Sequence, residues 1–297
     1  MTPTTRNASA DGVRVLFVHA HPDDETITTG GSIAALVDAG AEVRVLTCTL
    51  GEEGEVLGEE FAGLVADAAD QLGGYRISEL SAALRALGVD RPRFLGGAGR
   101  WRDSGMAGTP SAEHPRAFVG SGDVAVETLV EILEEYRPQL VVTYDPRGGY
   151  GHPDHIRAHE IVHAAAERAS RRPSRLAWTV TARSELTRTH PSPPAHLRNA
   201  RPDELPSVPD TQLTHRVPLD DAQYAAKLEA LTGHATQLEL VRGQEGDPWF
   251  FALTNGVLQP VAMEEWYICH DLDEQRSEYV RATPGTAHIL EGLEGRS

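Results

Sequence analysis

Long hydrophobic runs are missing from this sequence. No stretch approaches the roughly 20 consecutive apolar residues of a membrane-spanning helix, and residues 1–12 are polar where a secretory signal would be apolar. Cysteine is almost absent as well. Cys48 and Cys269 lie far apart, so no disulfide framework is built, and Cys48 falls inside an apolar strand pattern as a small core residue. Positive charge is the third shortage: Lys and Arg number 27 against 44 Asp and Glu, and the formal net charge of -17 repels phosphate backbones and anionic membranes. These shortages exclude nucleic acid and membrane as partners and lead to the expectation of a soluble protein of the reducing cytoplasm. No feature sets an oligomeric state, and no segment repeats another.

What the sequence does have is two His/Asp clusters, each behind an apolar run. Val13 to Val18 reads as a short, β-branched, buried strand and leads into His19-Ala20-His21-Pro22-Asp23-Asp24-Glu25. Leu140 to Tyr144 is a second such run, leading into Tyr150-Gly151-His152-Pro153-Asp154-His155. In an open α/β sheet the crevice beyond the carboxyl ends of the strands is where ligands bind, so both clusters are expected to face it.

Between and beyond the clusters the pattern alternates. A helix with Ile33, Leu36 and Val37 closes at Gly40, a strand follows over Glu42–Thr49, and Gly51–Glu55 is an acidic loop. Phe61 to Gly88 reads as helical with a break near Gly73-Gly74, and Arg93–Leu95 as a short strand. The glycines of Gly96–Met106 lack the spacing of a dinucleotide-binding turn. Asp123–Tyr136 is a helix, another begins with Pro153 as its first residue, and Leu176–Ala182 is a strand. After the proline-rich Pro191 to Pro209 come a helix over Asp220–Leu240 with Asp220 as N-cap, then strands at Trp249–Leu253 and Trp266–Ile268. At 297 residues this makes one large domain or one with an appendage. The expected class is α/β: a Rossmann-like, mostly parallel sheet flanked by helices, with a smaller C-terminal α+β portion.

A hydrolytic metal site needs about three protein ligands and one open position. His21, Asp24 and His155 are the candidates, since nitrogen and carboxylate donors suit zinc or another borderline divalent ion. Asp23 stands beside a ligand with its own carboxylate free and is the candidate general base. Either cluster alone reads equally well as a turn closed by an Asx-type cap. The two together, each past a strand, favour a shared metal.

The pair His21-Pro22-Asp23-Asp24-Glu25 and His152-Pro153-Asp154-His155 resembles the LmbE-like and PIG-L family of metal-dependent N-acetylglucosamine deacetylases. Thr47 to Val56, Gln71 to Arg76, Arg102 to Met106 and Gly149-Tyr150-Gly151 extend the likeness, which is close from Val13 to Ala165 and looser beyond. The resemblance implies an amide hydrolase that deacetylates a small neutral pseudodisaccharide of glucosamine and inositol. It implies one zinc per subunit, with ferrous iron as the alternative, held by His21, Asp24 and His155. It gives Asp23 as general base, Tyr150 as stabiliser of the carbonyl oxygen, His152 as acid for the departing amine, and Asp154 as the group that orients or tunes His152. Arg76, Asp103, Glu55 and Met106 are implied to line the sugar and inositol pocket. A sister amidase of thiol conjugates carries a lysine just after its acidic motif; Thr26-Ile27-Thr28 stands here instead, which favours the deacetylase. The domain reading that follows is a polar lead over residues 1–12, a catalytic α/β core over 13–185, and a C-terminal portion over 186–297. That portion packs on the core and helps to form the substrate cleft. His234 and Gln237 receive no role.

Overall fold

Every apolar run that flanks a cluster becomes a central strand in the computed structural model, which describes residues 10–243, 248–272 and 287–294. Most of the polar lead, residues 1–9, lies outside the described residues. Strands β1 (Arg14–His19), β2 (Glu42–Thr47), β3 (Arg93–Phe94), β4 (Leu140–Tyr144) and β5 (Arg175–Val180) run parallel in the order β3-β2-β1-β4-β5. They alternate with helices α1 (Asp24–Asp38), α2 (Leu72–Ala86), α3 (Gly122–Tyr136), the single turn α4 (Gly148–Gly151) and α5 (Pro153–Arg168). The strand order reverses between β1 and β4, so the chain leaves these two neighbours toward opposite faces and a crevice opens between the departures. Both His/Asp clusters sit at that point.

Side-chain alternation along β1 builds the two faces. Val15 and Phe17 join Ile33, Leu36, Leu84 and Leu87 in one buried cluster, while Leu16 and Val18 join Leu129, Leu133 and Ile161 in the other. The sheet continues past residue 186. It gains β11 (Glu264–Asp271) antiparallel to β5, β7 (His215–Pro218) antiparallel to β11, and β12 (Ala287–His288) parallel to β7. The remaining C-terminal strands, β6 (Arg198–Asn199), β8 (Leu238–Val241), β9 (Phe250–Leu253) and β10 (Val257–Pro260), form a second sheet in the order β6-β10-β9-β8.

Helix α6 (Asp221–Thr232) opens with a reciprocal capping box between Asp220 and Gln223, so the expected N-cap is observed. It is tied down by Lys227, whose Nζ lies 2.6 Å from Glu265 Oε1 on β11 with both side chains 3% exposed. The same Glu265 carboxylate accepts the Gly31 and Ser32 amides of α1.

Two helix expectations are corrected. The helix expected to reach Leu240 stops at Thr232, because Gly233 rests against the Ala83 backbone of α2 and Leu238–Val241 pairs with β9. The helical stretch expected from Phe61 is a 3-10 turn over Glu59–Leu64 followed by α2 from Leu72. Gly73 therefore lies inside the first turn rather than at a break, pressed against Leu50 and Glu52 where a larger side chain would collide. Among the described residues no helix is long and apolar enough to cross a membrane.

Candidate active site

The chain leaves β1 and enters α1 through a strained corner. Asp23 has φ 110 and ψ -34, a conformation that costs a non-glycine residue about 1–3 kcal/mol and persists only where the surroundings over-determine it. Its amide donates to Glu25 Oε2 at 3.0 Å, and Arg76 Nη2 lies 3.1 Å from its Oδ2. Arg76 also donates to the Pro22 carbonyl and, at 2.9 Å, to that of Gly51. Burial pushes the Asp23 carboxyl up to about 7, with Arg76 pulling the other way.

Asp24 and the two histidines close a triangle. His21 Nδ1 is 3.4 Å from Asp24 Oδ2 and 3.2 Å from His155 Nε2, which is itself 3.4 Å from the same Asp24 oxygen. Ligands of a tetrahedral ion with bonds of about 2.0–2.1 Å stand about 3.3–3.4 Å apart, so these donors fit such an ion without rearrangement. His155 reaches its place from the first turn of α5, whose first residue is Pro153 and whose N-cap is His152. Gly148 lets that turn approach, since a Cβ at φ 62 would overlap His155.

Outer partners orient the triangle. His21 Nε2 lies 3.3 Å from Asp154 Oδ2 and 3.5 Å from Asp103 Oδ1, acceptors that would keep a proton on Nε2 when Nδ1 gives its own up to an ion. Asp24 Oδ2 accepts from the His21 amide at 2.9 Å and from the Tyr144 hydroxyl at 2.7 Å. Tyr144 stacks on His155 with ring centres 4.2 Å apart.

Three carboxylates, Asp24, Asp103 and Asp154, thus face the imidazoles of His21, His152 and His155. Burial would push His21 down, yet Asp103, Asp154 and Asp24 hold it well above its ordinary value. Against the same burial penalty, His155 and His21 keep Asp24 well below the usual carboxylate range, and His21 does the same for Asp103. So much buried negative charge calls for cationic compensation, which a divalent ion at the triangle would supply.

The remaining expected site residues are placed as follows. His152 Nδ1 accepts the Asp154 amide at 3.1 Å, leaving Nε2 3.9 Å from Asp103 Oδ1. A ring nitrogen of His152 also comes within 4.8 Å of those of His21 and His155. Burial, then the neighbouring His21 and His155, pushes His152 down to about 4. Asp154, implied to orient or tune His152, meets it through its backbone amide, while its carboxylate accepts the Ser104 amide at 2.9 Å and faces His21. The reason is local: as the second residue of α5, Asp154 offers His152 its backbone amide while its side chain points across the crevice. Tyr150 is 55% exposed, its ring centre 4.9 Å from that of His155. Glu55 and Met106 are exposed on the rim. Asp103 is buried, its amide on Glu52 and its Oδ1 accepting the Gly105 amide. Arg76, expected to line the pocket, is buried beneath the motif with its Nη groups on Pro22, Gly51 and Asp23.

Sequence reasoning missed Tyr144, Glu52, Glu25 and His234. Tyr144 read as the last residue of a buried strand, and its position at a carboxyl end beside the crevice was the usable signal. Glu52 is buried and accepts the Leu50 and Asp103 amides. His234 lies 3.0 Å from Glu25, a pairing between distant stretches that no local pattern carries.

A metal-binding constellation at the switch point of a parallel α/β sheet defines the class: hydrolases built on this fold. The chain belongs to the GlcNAc-PI de-N-acetylase (PIG-L) family, which matches residues 16–166. It is 56% identical over 272 residues to the 1D-myo-inositol 2-acetamido-2-deoxy-alpha-D-glucopyranoside deacetylase of Nocardia farcinica, covering 86% of this chain and 89% of that one. The protein of the same name from Corynebacterium glutamicum is 48% identical over 297 residues, covering 95% and 97%. In fold the chain is similar to N,N'-diacetylchitobiose deacetylase from Pyrococcus horikoshii, with a TM-score of 0.51, 21% identity and coverage of 77% and 72%.

Proposed function

We propose that the chain is a zinc-dependent deacetylase that removes the N-acetyl group from 1-O-(2-acetamido-2-deoxy-α-D-glucopyranosyl)-1D-myo-inositol in mycothiol biosynthesis. Ferrous iron is the alternative ion for the same donors. The observation that carries the reading is the His21, Asp24 and His155 triangle at tetrahedral spacing, with the Asp23 carboxylate beside it and outside it. The activity named for the Nocardia and Corynebacterium relatives supports the choice of substrate.

An amide resists water because its carbonyl is a weak electrophile and its nitrogen a poor leaving group. His21, Asp24 and His155 would hold a divalent ion, which would supply the Lewis acidity that an unreactive acetyl carbonyl and a weakly acidic water both need. Asp23 accepts the proton of the attacking water, and a carboxyl near 7 is matched to that task at neutral pH. Tyr150 donates its hydroxyl to the carbonyl oxygen as charge develops there, a contact worth about 3 kcal/mol for one preorganised donor. The departing amine takes its proton from His152 Nε2, the nitrogen left free because Nδ1 is engaged by the Asp154 amide; burial holds this imidazole near 4, so the proton it delivers is the one that Asp23 first takes from water and passes on. Asp103 serves His21 and His152 from the pocket wall, while Glu55 and Met106 on the rim meet the hydroxyl-rich sugar and inositol. The stretch 186–297 contributes the turn that bonds to Glu55 through Gln237 and so completes one wall of the cleft.

The test is acetate release from the acetylated pseudodisaccharide by metal-stripped protein with and without added zinc. Release restored by zinc supports the reading. No release with zinc bound, or faster cleavage of a thiol conjugate of the deacetylated and acylated sugar, overturns it.

A further inference from the structure

The turn after α6 reaches the catalytic motif from 209 residues away in sequence. His234 Nε2 lies 3.0 Å from Glu25 Oε1, and both side chains are 0% exposed. The other Glu25 oxygen, Oε2, accepts the Asp23 amide. Thr26 completes the cluster: its hydroxyl donates to Glu25 Oε1 and lies 3.3 Å from His234 Nε2. One carboxylate therefore spans two jobs, gripping the strained corner with one oxygen and the distant turn with the other.

The turn is itself rigidly mounted. The Thr236 amide and hydroxyl donate to the two oxygens of Glu79 at 2.9 and 2.8 Å, and the Leu57 amide donates to the Thr236 carbonyl at 2.8 Å. Gly233 sits where a Cβ would come within 3.1 Å of the Ala83 amide nitrogen, so the turn is seated on α2. His234 is thus a fixed post rather than a side chain that follows its partner.

We infer that His234 is a positioning residue for the deacetylation: through Glu25 it holds the strained backbone of Asp23, and with it the carboxylate that accepts the proton of water. The inference rests on the reading of Asp23 as general base. Without the His234 bond, Glu25 Oε1 keeps only the Thr26 hydroxyl and the carboxylate is free to rotate off the Asp23 amide. The corner then relaxes from φ 110, and a displacement of about 1 Å at a reacting group costs about 100-fold in rate. The metal triangle is held separately. Asp24 is fixed by Tyr144 and the His21 amide, so metal affinity is expected to survive.

The experiment compares metal-loaded parent, His234→Leu, His234→Gln, Glu25→Gln and Asp23→Asn by acetate release, with metal content measured on each. Expected for His234→Leu is a fall in kcat of about 10- to 100-fold with KM within about threefold and metal content unchanged. His234→Gln, whose amide can donate to Glu25 from the same place, recovers most of that loss. Glu25→Gln keeps one acceptor oxygen where two are needed, and its kcat falls as well. A parent-like kcat in Glu25→Gln overturns the inference whether or not His234→Leu folds, as does a His234→Gln no better than a folded His234→Leu. Turnover retained in Asp23→Asn removes the base assignment itself. Turnover lost in that variant alone, with the other three at parent rates, overturns only the role of His234.

Discussion

Arg76 Nη2 stands 3.1 Å from Asp23 Oδ2, and the guanidinium is 3% exposed. A cation buried this deeply against a carboxylate acts on that carboxylate, whatever else passes through the cleft. Arg76 also holds the carbonyls of Pro22 and Gly51, so it fixes the loop after β2 against the corner that carries the base. Gly51, at φ 66, is obliged to be glycine because a Cβ would run into the guanidinium.

Arg76→Met is therefore expected to lower kcat by at least about tenfold while KM changes by less than about threefold, the pattern of an interaction that matters in the transition state. Steady-state kinetics of acetate release decide it. A raised KM with kcat retained would return Arg76 to direct substrate binding.

Tyr144 is the second test, because it joins the fold to the metal triangle. Its hydroxyl accepts the Ala20 amide at 2.8 Å and donates to Asp24 Oδ2, so one oxygen satisfies the end of β1 and aims a ligand. Tyr144→Phe leaves a buried amide and a buried carboxylate oxygen short of a partner, a loss of about 1–3 kcal/mol. It also removes an outer partner of a ligand, which weakens metal binding by about 10- to 100-fold. Chelator competition for zinc measures the second effect and urea unfolding the first. Unchanged zinc affinity would remove Tyr144 from the site.

What could be read from the sequence was whatever lies close together along the chain. His21 and Asp24 are three residues apart, as are His152 and His155, and each pair follows an apolar strand, so the triangle and the parallel core were both visible. Contacts between distant stretches were not. Glu25 looked like one more acidic residue in a motif until His234 was brought to it by α6, and α6 was expected to run on to Leu240 because a helical pattern continues past Gly233. Only the seat of Gly233 on α2 and the pairing of β8 with β9 end it. The strands β7, β10 and β12 escaped for a related reason: at four residues or fewer they carry little alternation, and they lack the clustered aromatics that mark β9.

His215, one strand in from the far edge of the main sheet, gives a prediction about acid stability that is independent of the site. It is 2% exposed on β7, between β11 and β12, with Nδ1 2.9 Å from the Thr214 hydroxyl. Burial, and then the nearby Arg175, pushes it down from 6.5 to about 4. In the unfolded chain it titrates near 6.5, so between these values the unfolded state binds the proton that the folded state refuses. Stability from this residue is complete above about pH 6.5, declines as pH falls toward 4, and levels off below. A shift of this size amounts to about 2–3 kcal/mol by about pH 4.5. His215→Gln removes the titration, so urea unfolding of parent and variant should converge or cross as the pH is lowered from about 7 to 4.5. A parallel decline in the two proteins would show that His215 is protonated in the folded sheet without cost.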